Sequence, residues 1–237
     1  MKKVKIALSA LALLFTMSLQ AQTVDEIIAK NIEAMGGKEK LASLKSVRME
    51  SSLSVQGMEI PVVMTRVHNV GQRVDITAMG MSGYVILTPT AGWQYMPFMG
   101  QSAAEPLPDE AVKEGADELD LQGSFLNYAE KGHKIELLGK DDVDGTECYK
   151  VKLTTKTGKD RTAFIDAKTY FVIRVIAKAN IMGQEQEAVS NMSDYKKVEG
   201  GYVFPHTIGG AFGQGDMVVN KIQVNIPVDE KIFKSDK

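Results

Sequence analysis

The chain has 237 residues, 44% of them hydrophobic and 24% charged, an ordinary globular composition rather than a disordered or fibrous one. The first 22 residues hold three lysines and no acid, so the remainder carries 25 basic and 30 acidic side chains, a charge near −5. That balance speaks against a nucleic-acid face and against electrostatic docking on anionic lipid.

"MKKVKIALSALALLFTMSLQAQ" has a basic start, an apolar run from Ile6 to Met17 and a small, polar end. This is the pattern of a secretory signal peptide, with cleavage expected after Ala21. The apolar run is short for a stable membrane span. Residues 1–22 are therefore set aside, and 23–237 are read as one domain. Thr23 and Glu26 fit a capping box. Val24, Ile27, Ile28, Ile32 and Met35 then recur at helical spacing. Gly36 and Gly37 end that helix, and a short second helix is expected over Lys38–Leu44.

From Ser46 the period changes to two. Val47, Met49, Leu53 and Val55 alternate with Arg48, Glu50, Ser52 and Ser54, as in a half-buried strand. "MEIPVVMTRVH" and "QRVDITAMGMSGYVILT" stay rich in strand-forming residues, with apolar side chains on both faces. "GWQYMPFMGQ" follows as another strand. In it Trp93, Tyr95 and Pro97 share one face, and Gln94, Met96 and Phe98 the other. Ala104 to Leu119 breaks the pattern. Seven acids lie between Glu105 and Asp120, and the stretch reads as loop plus short helices, a solvated face placed like a lid. Strands return in "ECYKVKLTT", in "RTAFIDAKTYFVIRVIAKAN" about a turn at Asp166–Thr169, and in "DYKKVEGGYVFPHTI" turned at Glu199–Gly201. "DMVVNKIQVNIPV" gives a last strand, and "DEKIF" a terminal turn whose Ile232 and Phe233 dock on the body. The expectation is an α+β fold: an antiparallel sheet with helices grouped on one face.

No catalytic signature accompanies this pattern. His68, His133 and His206 lie in separate segments without ligand spacing. No nucleophile elbow and no phosphate loop occur. "GGAFGQG" opens no helix and reads as a hairpin or bulge, the acids of "KDDVDG" and "DELD" do not meet the calcium-loop spacing, and "DVDG" reads as a turn. Cys148 cannot form an internal disulfide and alternates within a strand, so it reads as a packed thiol. The chain is taken as non-enzymatic, with no cofactor and no metal. Six methionines, Met58, Met64, Met79, Met81, Met96 and Met99, fall within 42 residues. Such flexible side chains suit either an irregular core or a surface for varied apolar guests.

The succession "IEAMGGKEKLASLKSV", "GWQYMPFMGQ", "GTECYKVKL", "AFIDAKTYFVIRV", "GGYVFPHTI" and "IQVNIPVDEKIF" resembles the LolA-like superfamily of outer-membrane lipoprotein-sorting carriers, over Thr23 to Phe233. The resemblance implies a strongly curved antiparallel β-sheet, an incomplete β-barrel, covered by an N-terminal helix and a mid-chain helical lid. It implies a periplasmic, monomeric carrier whose apolar cavity holds lipid or lipoprotein acyl chains. Candidate lipid contacts are Trp93, Tyr95, Met96, Phe98 and Met99, with Met64, Met79 and Met81. The segment 104–119 is more acidic than the lid of such carriers, and no arginine is matched to the one that holds their lid closed. The alternative is an envelope interaction or sensor module on the same fold, binding protein partners without catalysis.

Overall fold

The structure, a computed structural model, describes residues 22–181, 184–211 and 215–235. The expected signal segment lies outside them except for Gln22, as does the centre of "GGAFGQG". Helix α1 spans Val24–Ala34 and opens on the expected capping box. Thr23 Oγ1 accepts from the Glu26 amide at 3.3 Å, and the Glu26 carboxylate accepts from the Thr23 amide at 3.1 Å. Its apolar face buries Ile27 and Ile28 against Tyr149, Val151 and Ile165, worth about 1.5–3 kcal/mol for each isoleucine. Met35 caps the helix, and α2 follows at Lys38–Ala42, two residues shorter than expected.

Two meanders make the sheet. The first comprises β1 (Ser46–Val55), β2 (Met58–Val67), β3 (Gly71–Ala78), β4 (Met81–Leu87), β5 (Gly92–Tyr95) and the two-residue β6 (Glu105–Pro106). The second comprises β7 (Lys134–Val143), β8 (Thr146–Thr154), β9 (Asp160–Asp166), β10 (Val172–Ile181), β11 (Gln184–Lys197), β12 (Val203–Ala211) and β13 (Gly215–Val224). Among the described residues they form one thirteen-stranded antiparallel sheet, ordered β6-β5-β4-β3-β2-β1-β13-β12-β11-β10-β9-β8-β7. Every neighbour is adjacent in sequence except at one seam, where β1 pairs with β13 through Val47↔Val224 and Leu53↔Met217. The two free edges, β6 and β7, are consecutive in the chain. The sheet is therefore an unclosed barrel. Register shifts at Glu50/Ser51, Leu137/Gly139, Val172/Arg174 and Ile208/Ala211 add local twist and bend it.

The connection from β6 to β7 carries α3 (Asp109–Gly115) and a 3-10 turn at Ala116–Leu119. Leu107, Val112 and Leu119 pack on Leu87 of β4. Further on, Phe125 and Tyr128 join the cluster under α1, on β8 and β9. One strap thus touches both sides of the gap. On the outer face the C-terminal 3-10 turn, Glu230–Phe233, docks as expected, with Phe233 and Ile232 against Tyr84 and Ile86. Gly71 makes room for it: a Cβ there would lie 2.7 Å from the Phe233 ring.

Two readings are corrected. The strand through "GWQYMPFMGQ" stops at Tyr95, and Pro97–Met99 form a 3-10 turn, because proline gives no ladder donor and its ring presets a turn. Strand β7 and most of β11 were not read from the sequence. The stretch "DVDG", expected as a turn, begins inside β7, and only Asp144-Gly145 make the turn.

Candidate functional site

Side-chain alternation assigns the two faces of the sheet. Val47, Arg66, Gln72 and Leu87 stand opposite one another across β1 to β4 and share the inner face. That face also carries α1, α2 and the strap. Between them lies a cavity of about 450 Å³, on the scale of small-molecule and lipid pockets. Ile32, Met35 and Leu41 of the helices form one wall. Leu121, Phe125 and Leu126 of the strap form another, and Leu153, Ala163, Val172, Val175, Met192 and Phe204 of the second meander a third.

Few polar groups enter this space, and most are already engaged. Asn31 Nδ2 donates to the Tyr170 carbonyl at 2.7 Å, and Tyr195 Oη donates to the Val172 carbonyl at 2.6 Å. Burial pushes the Tyr195 hydroxyl far above the ordinary phenol range. Gln122 Nε2 donates to the Ala42 carbonyl at 2.9 Å, and Tyr202 Oη accepts from Asn225 Nδ2 at 2.8 Å. Arg161 donates to Glu118 at 2.9 Å. Arg66 differs. Its Nε is buried with no hydrogen-bond partner among the described residues. Burial lowers its pKa, an effect only partly offset by the field of Glu118.

Three of the strap's acids, Asp117, Glu118 and Asp120, prove to be fasteners, while Glu105, Asp109 and Glu110 are exposed as expected of a solvated face. Asp117 accepts from Thr157 Oγ1 at 2.9 Å, at the β8–β9 turn. Glu118 holds Arg161 of β9. Asp120 takes Lys131 and lies 3.5 Å from His68 Nδ1, which itself accepts from the Leu121 amide at 3.2 Å. Each contact is partly exposed and worth about 0–1 kcal/mol; together they tie the strap to both meanders.

None of the eight candidate contacts lines the 450 Å³ cavity. Met64 faces inward, two residues from Arg66 on β2, and packs on the Leu53–Met217 cluster. Met96 and Phe98 also fold over the inner face: a Cβ on Gly83 of β4 would meet the Phe98 ring at 2.9 Å and the Met96 sulfur at 3.2 Å. Trp93 and Tyr95 turn to the outer face, under the C-terminal segment with Tyr84 and Phe233. Met79, Met81 and Met99 sit exposed where β3, β4 and β5 end. The cavity-lining residues of the second meander, and Arg66, were not singled out in the sequence. An arginine at an inward position of an otherwise apolar strand face was the one signal available.

Among the described residues no helix is long and apolar enough to cross a membrane, and no group of three or more His, Cys, Asp or Glu could hold a metal ion. Cys148 is fully buried, and burial, with Asp166 nearby, pushes its thiol up to about 11.

The fold and cavity define the protein as an open, strap-covered half-barrel. That architecture is the LolA-type fold, as the sequence resemblance led one to expect. A LolA superfamily protein from Nitrosomonas europaea superposes with a TM-score of 0.54 at 14% identity, over 91% of this chain and 99% of that one. A DUF1329 family protein from Desulfovibrio piger gives 0.55 at 14% identity, over 89% and 97%. A domain from Vibrio parahaemolyticus named for outer membrane lipoprotein sorting gives 0.51 at 12% identity, over 88% and 95%. No family model and no curated protein matches the sequence.

Proposed function

We propose that residues 23–237 form an exported, periplasmic unit that binds the acyl chain of a lipid or lipoprotein and carries it across the envelope. The observation that carries this reading is the cavity beneath the strap, about 450 Å³ and walled mainly by aliphatic and aromatic side chains. Each methylene moved there from water gains about 0.8 kcal/mol, so such a space favours an apolar guest over water. Met64, Met96 and Phe98 stand on the same inner face outside the cavity, and on this reading a chain longer than the cavity runs along them.

Native mass spectrometry of protein isolated from the periplasm, with uptake of a fluorescent fatty acid, tests the reading. Bound lipid and saturable uptake are expected. Ala163→Leu, which fills part of the cavity from a wall position, is expected to weaken uptake several-fold. Repeated isolation without lipid, together with no uptake, would remove the reading.

A second reading, an envelope interaction module, draws on one observation. Met79 adopts φ +54° at a hairpin tip and is 80% exposed. Neither burial nor backbone conformation asks for methionine there, whereas contact with an apolar partner surface does.

A further inference from the structure

The cavity is lined by two guanidinium groups, Arg66 and Arg161, and the carboxylate of Glu118 acts on both. Glu118 is spent on Arg161 at 2.9 Å. Arg66 is left in an apolar wall with no hydrogen bond or ion pair among the described residues, its Nε enclosed. Directly across the β2–β3 ladder stands Gln72, whose Oε1 is likewise buried without a partner. Unpaired buried donors, above all charged ones, are costly unless something completes them. The polar groups around them make no such claim on Arg66, since Asn31, Gln122, Tyr195 and Tyr202 each have protein partners. What is missing is an acceptor that carries negative charge and arrives with the guest.

We propose that the guest is an anionic amphiphile: a single acyl chain ending in an acidic group, whose oxygens pair with the Arg66 guanidinium while the Gln72 amide completes the seat. A guanidinium offers two parallel donors that match a carboxylate or a phosphate alike. Turned by half a rotation, the Gln72 amide presents its NH₂ to the same oxygens. The chain then lies along the apolar wall formed by Leu126, Ala163 and Phe204. This inference rests on the acyl-binding reading above and adds the charge of the ligand to it.

Delipidated protein is titrated with palmitate, with a single-chain palmitoyl lysophosphatidate and with the uncharged palmityl alcohol, read by displacement of a neutral fluorescent acyl probe. Wild-type protein is expected to bind at least one acid about tenfold or more tighter than the alcohol, the scale of a hydrogen-bonded charge. The acid preferred, carboxylate or phosphate, identifies the end group. Arg66→Met is expected to erase that preference by bringing the affinity for the acids down to that for the alcohol, and Arg66→Lys to restore part of it. Gln72→Leu, which keeps the charge, is expected to reduce the preference without abolishing it, and serves should Arg66→Met not fold. Equal binding of acids and alcohol by the wild type, or a preference that survives Arg66→Met, overturns the anion seat and leaves acyl binding standing. Binding of none of the three overturns both.

Discussion

Burial takes Cys148 out of thiol chemistry. With its pKa pushed up to about 11, roughly one thiol in a thousand is ionised at pH 8. Alkylation by iodoacetamide at that pH is expected to be negligible in the native protein and rapid in urea. The sign for stability follows from the same shift. The folded group keeps its proton longer than the unfolded one, so this contribution is intact below the ordinary thiol pKa and declines as pH rises towards 11. Met79 shows the opposite case, a residue at odds with its local backbone. A non-glycine side chain in the left-handed region costs about 1–2 kcal/mol, and asparagine tolerates it better. Met79→Asn is therefore expected to raise the unfolding free energy by about 1 kcal/mol. If the exposed methionines meet a partner, that variant gains stability and loses the contact, a combination that pull-down beside a thermal melt resolves.

At the scale of elements, what was legible in the sequence was what depends on neighbours within a few residues. Thr23 and Glu26 announced α1, Glu199–Gly201 announced a hairpin, and the two-residue alternation of Val47, Met49, Leu53 and Val55 announced β1, and all three stand. The misses have physical causes. Strand β7 alternates charged and apolar residues but runs into "DVDG", whose Asp142 reads locally as a turn former; pairing with β8 overrides it. Asp117, Glu118 and Asp120 looked solvated because their partners, Thr157, Arg161 and Lys131, stand up to 43 residues away. Trp93 and the methionines drew attention as large apolar residues, yet which face each takes depends on where β5 ends and where the C-terminal turn docks. The cavity wall comes from nine separate segments, and periodicity within one segment cannot reveal it.

At the scale of the whole molecule, two meanders meet along one seam, so β1 and β13 carry the cooperativity of the fold. Leu53 and Met217, paired across that seam, are both buried. Leu53→Ala is expected to cost about 2–5 kcal/mol. Trp93, the chain's only tryptophan, lies in the first meander, and its fluorescence reports on that half. In the variant the fluorescence and far-UV circular dichroism transitions in urea are expected to shift together. Separation of the two curves would show halves that unfold independently. The same architecture bears on ligand exchange. The gap between β6 and β7 can widen without breaking a ladder hydrogen bond, because it is spanned by the strap's apolar packing and its fasteners and not by a strand pair.

An open barrel leaves two strand edges with unpaired amides and carbonyls, the usual template for runaway self-association. Here each edge is blunted by its own composition. Strand β6 is two residues long, and one of them, Pro106, has no amide hydrogen to offer. Strand β7 exposes Lys134, Glu136, Lys140, Asp141 and Asp142 along its length, charges that a second copy could cover only by desolvating them. Under the proposed acyl-binding function, the gap is thus open to one kind of molecule and closed to another: it leaves a sideways route for an acyl chain, while a β-strand from a neighbour finds no edge it can extend.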